Sequence, residues 1–376
     1  VVLEYWLGES RSYLWRITHD SVRSWVLPPR ATIEHAADAL REKVLAVASP
    51  TGASFEQLAA ASGQSDPEIE RSAQSLASEL LPAGLELPEH ATIAIVADGE
   101  LQRTPFQLFG SIAKHGVVYL PSLAIVQELR ATNAARAAAP SIALFADPVF
   151  DPSDPRIRAT VGHDAASSRP ELASADTHAA TWRRLKYTQA EADAIAALFA
   201  QSQRFVASGF AASRQAALAF PWLRYDLVHF ATHAVIDLRH PDLSGVVLSL
   251  FDAQGARQDG FLRMNDIYRL SMAADLVVLS VCDSTRERGR GAEGMFGLSR
   301  AFFYAGARRL LVSLWPVDDQ ASAQFMASFY RHLIDKKQPP QEALRSAQIQ
   351  MRDDPRWRAP YYWAGFVLHG DWQDER

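Results

Sequence analysis

From Gln189 to Trp315 the chain alternates between short, nearly continuous apolar runs and segments of helical period, which restricts its fold more than any other feature. Predicted helices Gln189–Ala200, Ala212–Phe220, Asn265–Leu270 and Glu293–Ala305 alternate with predicted strands Arg204–Ala207, Asp226–Ala231, Leu276–Val281 and Leu310–Trp315. Strands that are Val- and Leu-rich on both faces must be covered on both faces, so this order predicts an α/β fold with a mostly parallel sheet flanked by helices. Val246–Phe251 reads as one arm of a hairpin. Helices at Asp319–Leu333 and Gln341–Met351 and a last apolar segment, Ala364–Leu368, complete this half. Chemistry in such sheets sits just beyond the carboxyl ends of the strands.

Upstream, Val1 to Leu27 reads as strands. Tyr5, Leu7, Tyr13, Trp15 and Ile17 alternate with polar residues around the turn Gly8–Ser12, predicting a hairpin with one buried face. Ile33, Ala37, Leu40, Val44 and Val47 recur at helical spacing over Ala31–Ala48, and a second helix is predicted from Pro67 to Leu80. The run Ala91–Ala97 is a buried-strand candidate closed by Asp98-Gly99. An Ala-rich stretch, Asn133–Pro140, leads into the strand Ser141–Ala146, and Asp151–His178 has the composition of a long surface loop. These shifts divide the chain into two halves, 1–140 and 141–376.

The 376 residues carry a net charge of −5, which gives no reason to expect nucleic acid as a partner. No apolar run approaches the roughly 20 residues of a membrane span, so no membrane association is expected. A single cysteine cannot form an internal disulfide and suits a reducing compartment, so the expected location is cytoplasmic. The first residue is Val rather than Met, as expected of a piece of a longer protein.

Two predicted strand ends carry chemistry. Asp226–Ala231 runs into Thr232-His233, and Leu276–Val281 runs into Cys282-Asp283. If the two strands are neighbours, a thiol and an imidazole share one rim of the sheet, and transfer of the thiol proton yields the reactive thiolate. A lone cysteine is more often a small buried apolar residue. Cys282, however, follows the last apolar residue of its strand and precedes the polar run Asp283–Arg290, at the edge of the core. His229 lies inside its strand and reads as structural. Four residues apart on a strand, His229 and His233 lack the helical arrangement of metal-binding pairs, and no metal is expected. Gly289, Gly291 and Gly294 spell G-x-G-x-x-G, but Asp283 to Arg288 separate them from the strand end, so no dinucleotide or other cofactor is expected. Ser280 and Ser313 lack a G-x-S-x-G elbow, which disfavours a serine hydrolase.

The segments VHFATH (Val228–His233), LVVLSVCD (Leu276–Asp283), AEGMFGLSRAFFYAG (Ala292–Gly306), LVSLWPVDD (Leu311–Asp319) and PYYWAGFVLHGD (Pro360–Asp371) resemble the CHAT domain in order and spacing. That family is caspase-like, related to separase and often carried behind tetratricopeptide repeats. The segments Leu3–Thr18, Ile93–Phe109 and ADPVF (Ala146–Phe150) resemble its amino-terminal half. The resemblance implies a pseudo-caspase half over 1–140 packed on a catalytic half over 141–376. It also implies a cysteine endopeptidase with nucleophile Cys282, base His233 and an oxyanion hole of the Ala234 and Cys282 backbone N–H groups. Ala234 stands where the family has Gly, and Val281-Cys282-Asp283 where it has Ala-Cys-Glu. The Trp315–Asp319 segment implies a specificity pocket lined by Asp318, Asp319, Trp315 and Asp283 that favours a basic residue before the cut. Against this, Asp318 is well placed to cap the following helix. Expected partners are a protein substrate and a regulatory partner or upstream repeat domain, with Asp151–His178 and Thr285–Gly291 as the control segments. The alternative is a catalytically silent module of the same fold that serves interaction or regulation.

Overall fold

The computed structural model describes residues 1–47, 55–131, 139–157, 182–237, 240–280, 282–283 and 293–373. The first part holds strands β1 (Val2–Trp6), β2 (Ser12–Ile17) and β3 (Val22–Leu27), helices α1 (Arg30–Ala46) and α2 (Phe55–Leu80), strands β4 (Ile93–Val96) and β5 (Val117–Leu120), and helix α3 (Leu123–Ala131). Then follow β6 (Ile142–Ala146), α4 (Thr188–Ala196), β7 (Arg204–Ser208), α5 (Arg214–Leu218), β8 (Leu227–Ala231), β9 (His233–Val235), β10 (Gly245–Val247) and β11 (Phe261–Arg263). The last part holds α6 (Met264–Ile267), β12 (Leu276–Leu279), β13 (Cys282–Asp283), α7 (Glu293–Tyr304), β14 (Arg309–Ser313), α8 (Asp319–Tyr330), α9 (Pro340–Asp353) and β15 (Phe366–Gly370).

Among the described residues, eleven strands form one sheet in the order β3-β2-β1-β4-β5-β15-β14-β12-β8-β6-β7. Its pairs are parallel except within β1–β2–β3 and between β14 and β15, so the sheet is mostly parallel, as the alternation requires. Every residue of β4, β5, β6, β8, β12, β14 and β15 is buried, which is why these strands are apolar on both faces. The strands before residue 140, apart from β6 onward, meet the rest at the β5–β15 pair. At the other edge of β15, where it meets β14, close packing leaves no room for a side chain at Gly365, whose added Cβ would lie 2.8 Å from the indole of Trp315.

The opening segment differs from the predicted hairpin. It is a three-stranded meander, and its buried side carries Tyr5, Leu7 and Leu14, while Tyr13 and Trp15 lie on the outer face with the exposed Trp6. The register pairs Tyr5 with Leu14 and Trp6 with Tyr13, so odd positions of β1 share a face with even positions of β2. Continuing one parity across the turn therefore assigns β2 to the wrong face. Helix α2 also starts earlier than predicted and runs through Pro67.

Beneath the sheet, α4, α8 and β8 bury a polar group of three. Glu191 Oε1 lies 2.9 Å from His229 Nε2, both side chains fully buried, though off the line of a straight hydrogen bond. His229 Nδ1 is 3.2 Å from the Tyr330 hydroxyl. At the end of β15, buried Asp371 accepts hydrogen bonds from Arg130 and Arg308, joining α3 to the β14–β15 pair. Among the described residues no helix is long and apolar enough to cross a membrane.

Candidate active site

Strands β8 and β12 are parallel neighbours, so the two chemically loaded strand ends do lie side by side. Beyond them the chain forms a second sheet, in the order β11-β10-β9-β13, that the sequence does not announce. The Thr232 hydroxyl marks the passage between the sheets by donating to the Val247 carbonyl at 2.5 Å. His233 opens β9, Cys282 opens β13, and the two residues are register partners in a parallel pair. Asp283 is likewise the partner of Ala234. Neighbouring strands run about 4.8 Å apart, which sets the separation of such partners.

The environment of His233 is defined on three sides. Nε2 lies 2.8 Å from the Arg183 carbonyl oxygen. A carbonyl only accepts, so Nε2 carries the proton and the neutral ring keeps its lone pair on Nδ1. Nδ1 is buried, without a hydrogen-bond partner among the described residues. Phe150 and Trp182 flank the ring, with centroids 5.0 and 5.1 Å away. Burial lowers the His233 pKa below the ordinary histidine value, and the bond to Arg183 only partly offsets this.

Residues 182–187 form a strap over this rim. Its Trp182 ring also meets Phe261, edge to face, at 6.4 Å. The Arg184 guanidinium grips the Asp147 carboxylate with two bonds of 2.8 and 2.6 Å. Asp147, just after β6, is buried with a φ of 47° and is also bonded by Arg156 Nη1 at 2.8 Å. Arg156 in turn binds Asp154 through Nε and Nη2, which holds the Asp154 carboxyl below its usual range. At the far end of the strap, Tyr187 N donates to Asp319 at 2.9 Å.

Of the residues expected to form a specificity pocket, Asp283 lies beside the pair as the register partner of Ala234, whereas Trp315, Asp318 and Asp319 have structural roles of their own. Trp315 is 1% exposed in the core, its Nε1 donating to the Tyr361 carbonyl at 2.9 Å. Asp318 is exposed and caps α8, accepting from Ala321 N at 3.0 Å. Asp319 anchors the strap, and burial, with lesser help from the charges of Glu191 and Asp318, raises its pKa to about 6. Ala234 is 1% exposed, held between Val246 of β10 and Asp283 of β13 rather than in an open loop. The control segment Thr285–Gly291, and Asp151–His178 apart from 151–157, lie outside the described residues, as do Gly289 and Gly291. Among the described residues no group of three or more His, Cys, Asp or Glu is placed to hold a metal ion.

A family model described as the CHAT domain matches residues 70–371. The chain belongs to the CHAT domain family. Tetratricopeptide repeat protein 28 of Mus musculus is 28% identical over 312 residues, covering 75% of this chain and 12% of that protein. Its Homo sapiens counterpart is 35% identical over 113 residues, covering 30% of this chain and 4% of that protein. The chain thus spans only a small part of these curated relatives. In fold it is similar to a chain of the Saccharomyces cerevisiae separase–securin complex. The TM-scores are 0.58 and 0.55 in two crystal structures, at 9% and 10% identity, over 98% of this chain and 30% of that one.

Sequence reasoning missed the strap of this CHAT domain. Trp182, Arg183 and Arg184 follow a long segment without period, and Arg183 acts through its carbonyl, which any residue supplies. The one available signal is the ADPVF run, Ala146–Phe150, which contributes both Asp147 and the ring of Phe150.

Proposed function

We propose that this CHAT domain is a cysteine endopeptidase with Cys282 as nucleophile and His233 as base. The observation that carries the reading is the β9–β13 register, in which Cys282 and His233 are direct partners. Residues directly opposite on neighbouring strands are close enough for their side chains to interact. Neutral His233 takes the thiol proton on Nδ1, and the thiolate attacks the substrate carbonyl. The imidazolium then protonates the leaving amine as the thioester forms, and water hydrolyses the thioester to regenerate the thiol. The Ala234 and Cys282 N–H groups are the proposed oxyanion donors. Because Ala234 sits within a paired strand, its use requires the backbone around β13 to open on substrate binding.

In this proposal residues 1–140 form a non-catalytic half and 141–376 the catalytic one, with a protein substrate and an upstream repeat domain or other regulatory partner. Asp318, the exposed acid at the β14–α8 corner, is the proposed determinant of a basic residue before the cut. Asp319 and Trp315 already have structural partners, and Asp283 pairs with Ala234, so their proposed part in specificity is secondary to that of Asp318.

A fluorogenic peptide panel tests these assignments together. Cleavage is expected from the wild type and none from Cys282→Ala, with Arg or Lys preferred over Leu or Met before the cut. Equal rates on all four would remove Asp318 from specificity. On the same peptides, kcat/KM is expected to fall on the acid side with an inflection below the ordinary histidine value of about 6.5. The sign follows from burial, which disfavours the protonated ring, so the base stays neutral to lower pH. An inflection at or above that value would contradict the assigned base. One observation favours the silent-module reading: His233 is only 8% exposed, beneath Phe150 and Trp182. Absence of cleavage with every candidate activator would favour it.

A further inference from the structure

We propose that Asp147 and Arg184 form a clasp that positions His233, acting through the strap and the carbonyl of Arg183. The proposal rests on the peptidase reading for its effect on rate, but not for its effect on the imidazole.

The connection is short. Arg183, whose carbonyl accepts from His233 Nε2, is followed directly by Arg184, whose guanidinium forks onto Asp147. Two parallel charge-assisted bonds fix both distance and orientation, which a single bond does not. Without that grip, the stretch is held by the Trp182 ring contacts on one side and, on the other, by Thr188 Oγ1 on the Leu185 carbonyl and the backbone of Lys186 and Tyr187 on Asp319. The Arg183 carbonyl would then drift, and with it the partner that selects the Nε2–H tautomer.

Asp147 is held from two sides. Arg156 already donates to its carboxylate and, through the same Nη1, to its carbonyl, and is itself held by Asp154. Arg184 therefore balances the second of two buried carboxylates and, by its two-point grip, also tethers the strap. The left-handed backbone of Asp147, uncommon outside Gly, fits a residue held in place by several partners at a functional rim. Arg184 itself is 41% exposed at its side chain, so it can be truncated without opening the core.

The test uses the full chain labelled with 15N-histidine, the His233 resonances being assigned by their loss in His233→Gln. Wild type is expected to show the Nε2–H tautomer. Arg184→Ala is expected to show a mixture of tautomers, and Arg184→Lys an intermediate state, because an ammonium keeps the charge but lacks the fork. On a cleaved peptide, kcat/KM of Arg184→Ala should fall about 10- to 100-fold, mostly in kcat. If Arg184→Ala keeps a pure Nε2–H tautomer and melts like the wild type, the clasp proposal is overturned. If the tautomer mixes but the wild type cleaves nothing, the clasp stands and the peptidase reading fails.

Discussion

Replacing His229 with alanine is expected to lower folding stability by about 3–5 kcal/mol, because it strands a buried carboxylate. Glu191 and His229 are both fully buried at their side chains and 2.9 Å apart, and removing the imidazole leaves Glu191 facing an apolar void. The Tyr330 hydroxyl loses its neighbour at 3.2 Å as well. Burial, and then the Glu191 charge, raise the Tyr330 pKa, so this hydroxyl stays neutral and supplies no positive charge to replace the imidazole beside Glu191. The loss should be felt where α4 packs on α8, and His229→Gln should recover part of it. Urea denaturation checks the value; a loss under about 1 kcal/mol, the scale of an ordinary hydrogen bond, would contradict it.

His233→Ala is expected to do the opposite. Among the described residues its ring makes one hydrogen bond, to the Arg183 carbonyl, and its Nδ1 is unpartnered, so the stability cost should be modest, about 1–2 kcal/mol. Peptide cleavage, by contrast, should fall about 10²- to 10⁴-fold, the usual contribution of a positioned general base. Two histidines four residues apart would thus separate cleanly, one governing stability and the other rate. Measuring kcat/KM beside the urea midpoint for both variants checks the separation. A His233→Ala enzyme that cleaves within twofold of wild type would contradict the assigned base.

The contrast between the two histidines is legible in the sequence because the apolar run ends at Ala231, which puts His229 inside β8 and His233 beyond it. The sheet itself is legible for a separate reason: strands buried on both faces must be largely apolar, as β6, β8, β12 and β14 are. The helix cap at Asp318 is readable too, because capping depends only on local spacing to Ala321. Features that depend on pairing are not. The outer face of Tyr13 and Trp15 follows from a register that a turn sets, and the four-stranded sheet holding His233 and Cys282 follows from short strands with little pattern of their own. The strap is the extreme case, since its link to His233 is a backbone carbonyl that no side-chain motif encodes.

The most direct test of the central proposal exploits the fact that Cys282 is the only cysteine in the chain. The rate at which a peptide bearing a thiol-reactive warhead modifies it is followed by intact mass for wild type, His233→Ala and Cys282→Ala. Rapid single labelling of wild type is expected, with much slower labelling of His233→Ala and none of Cys282→Ala. Labelling of wild type and His233→Ala at the same slow rate as a free thiol would contradict an activated Cys282–His233 pair.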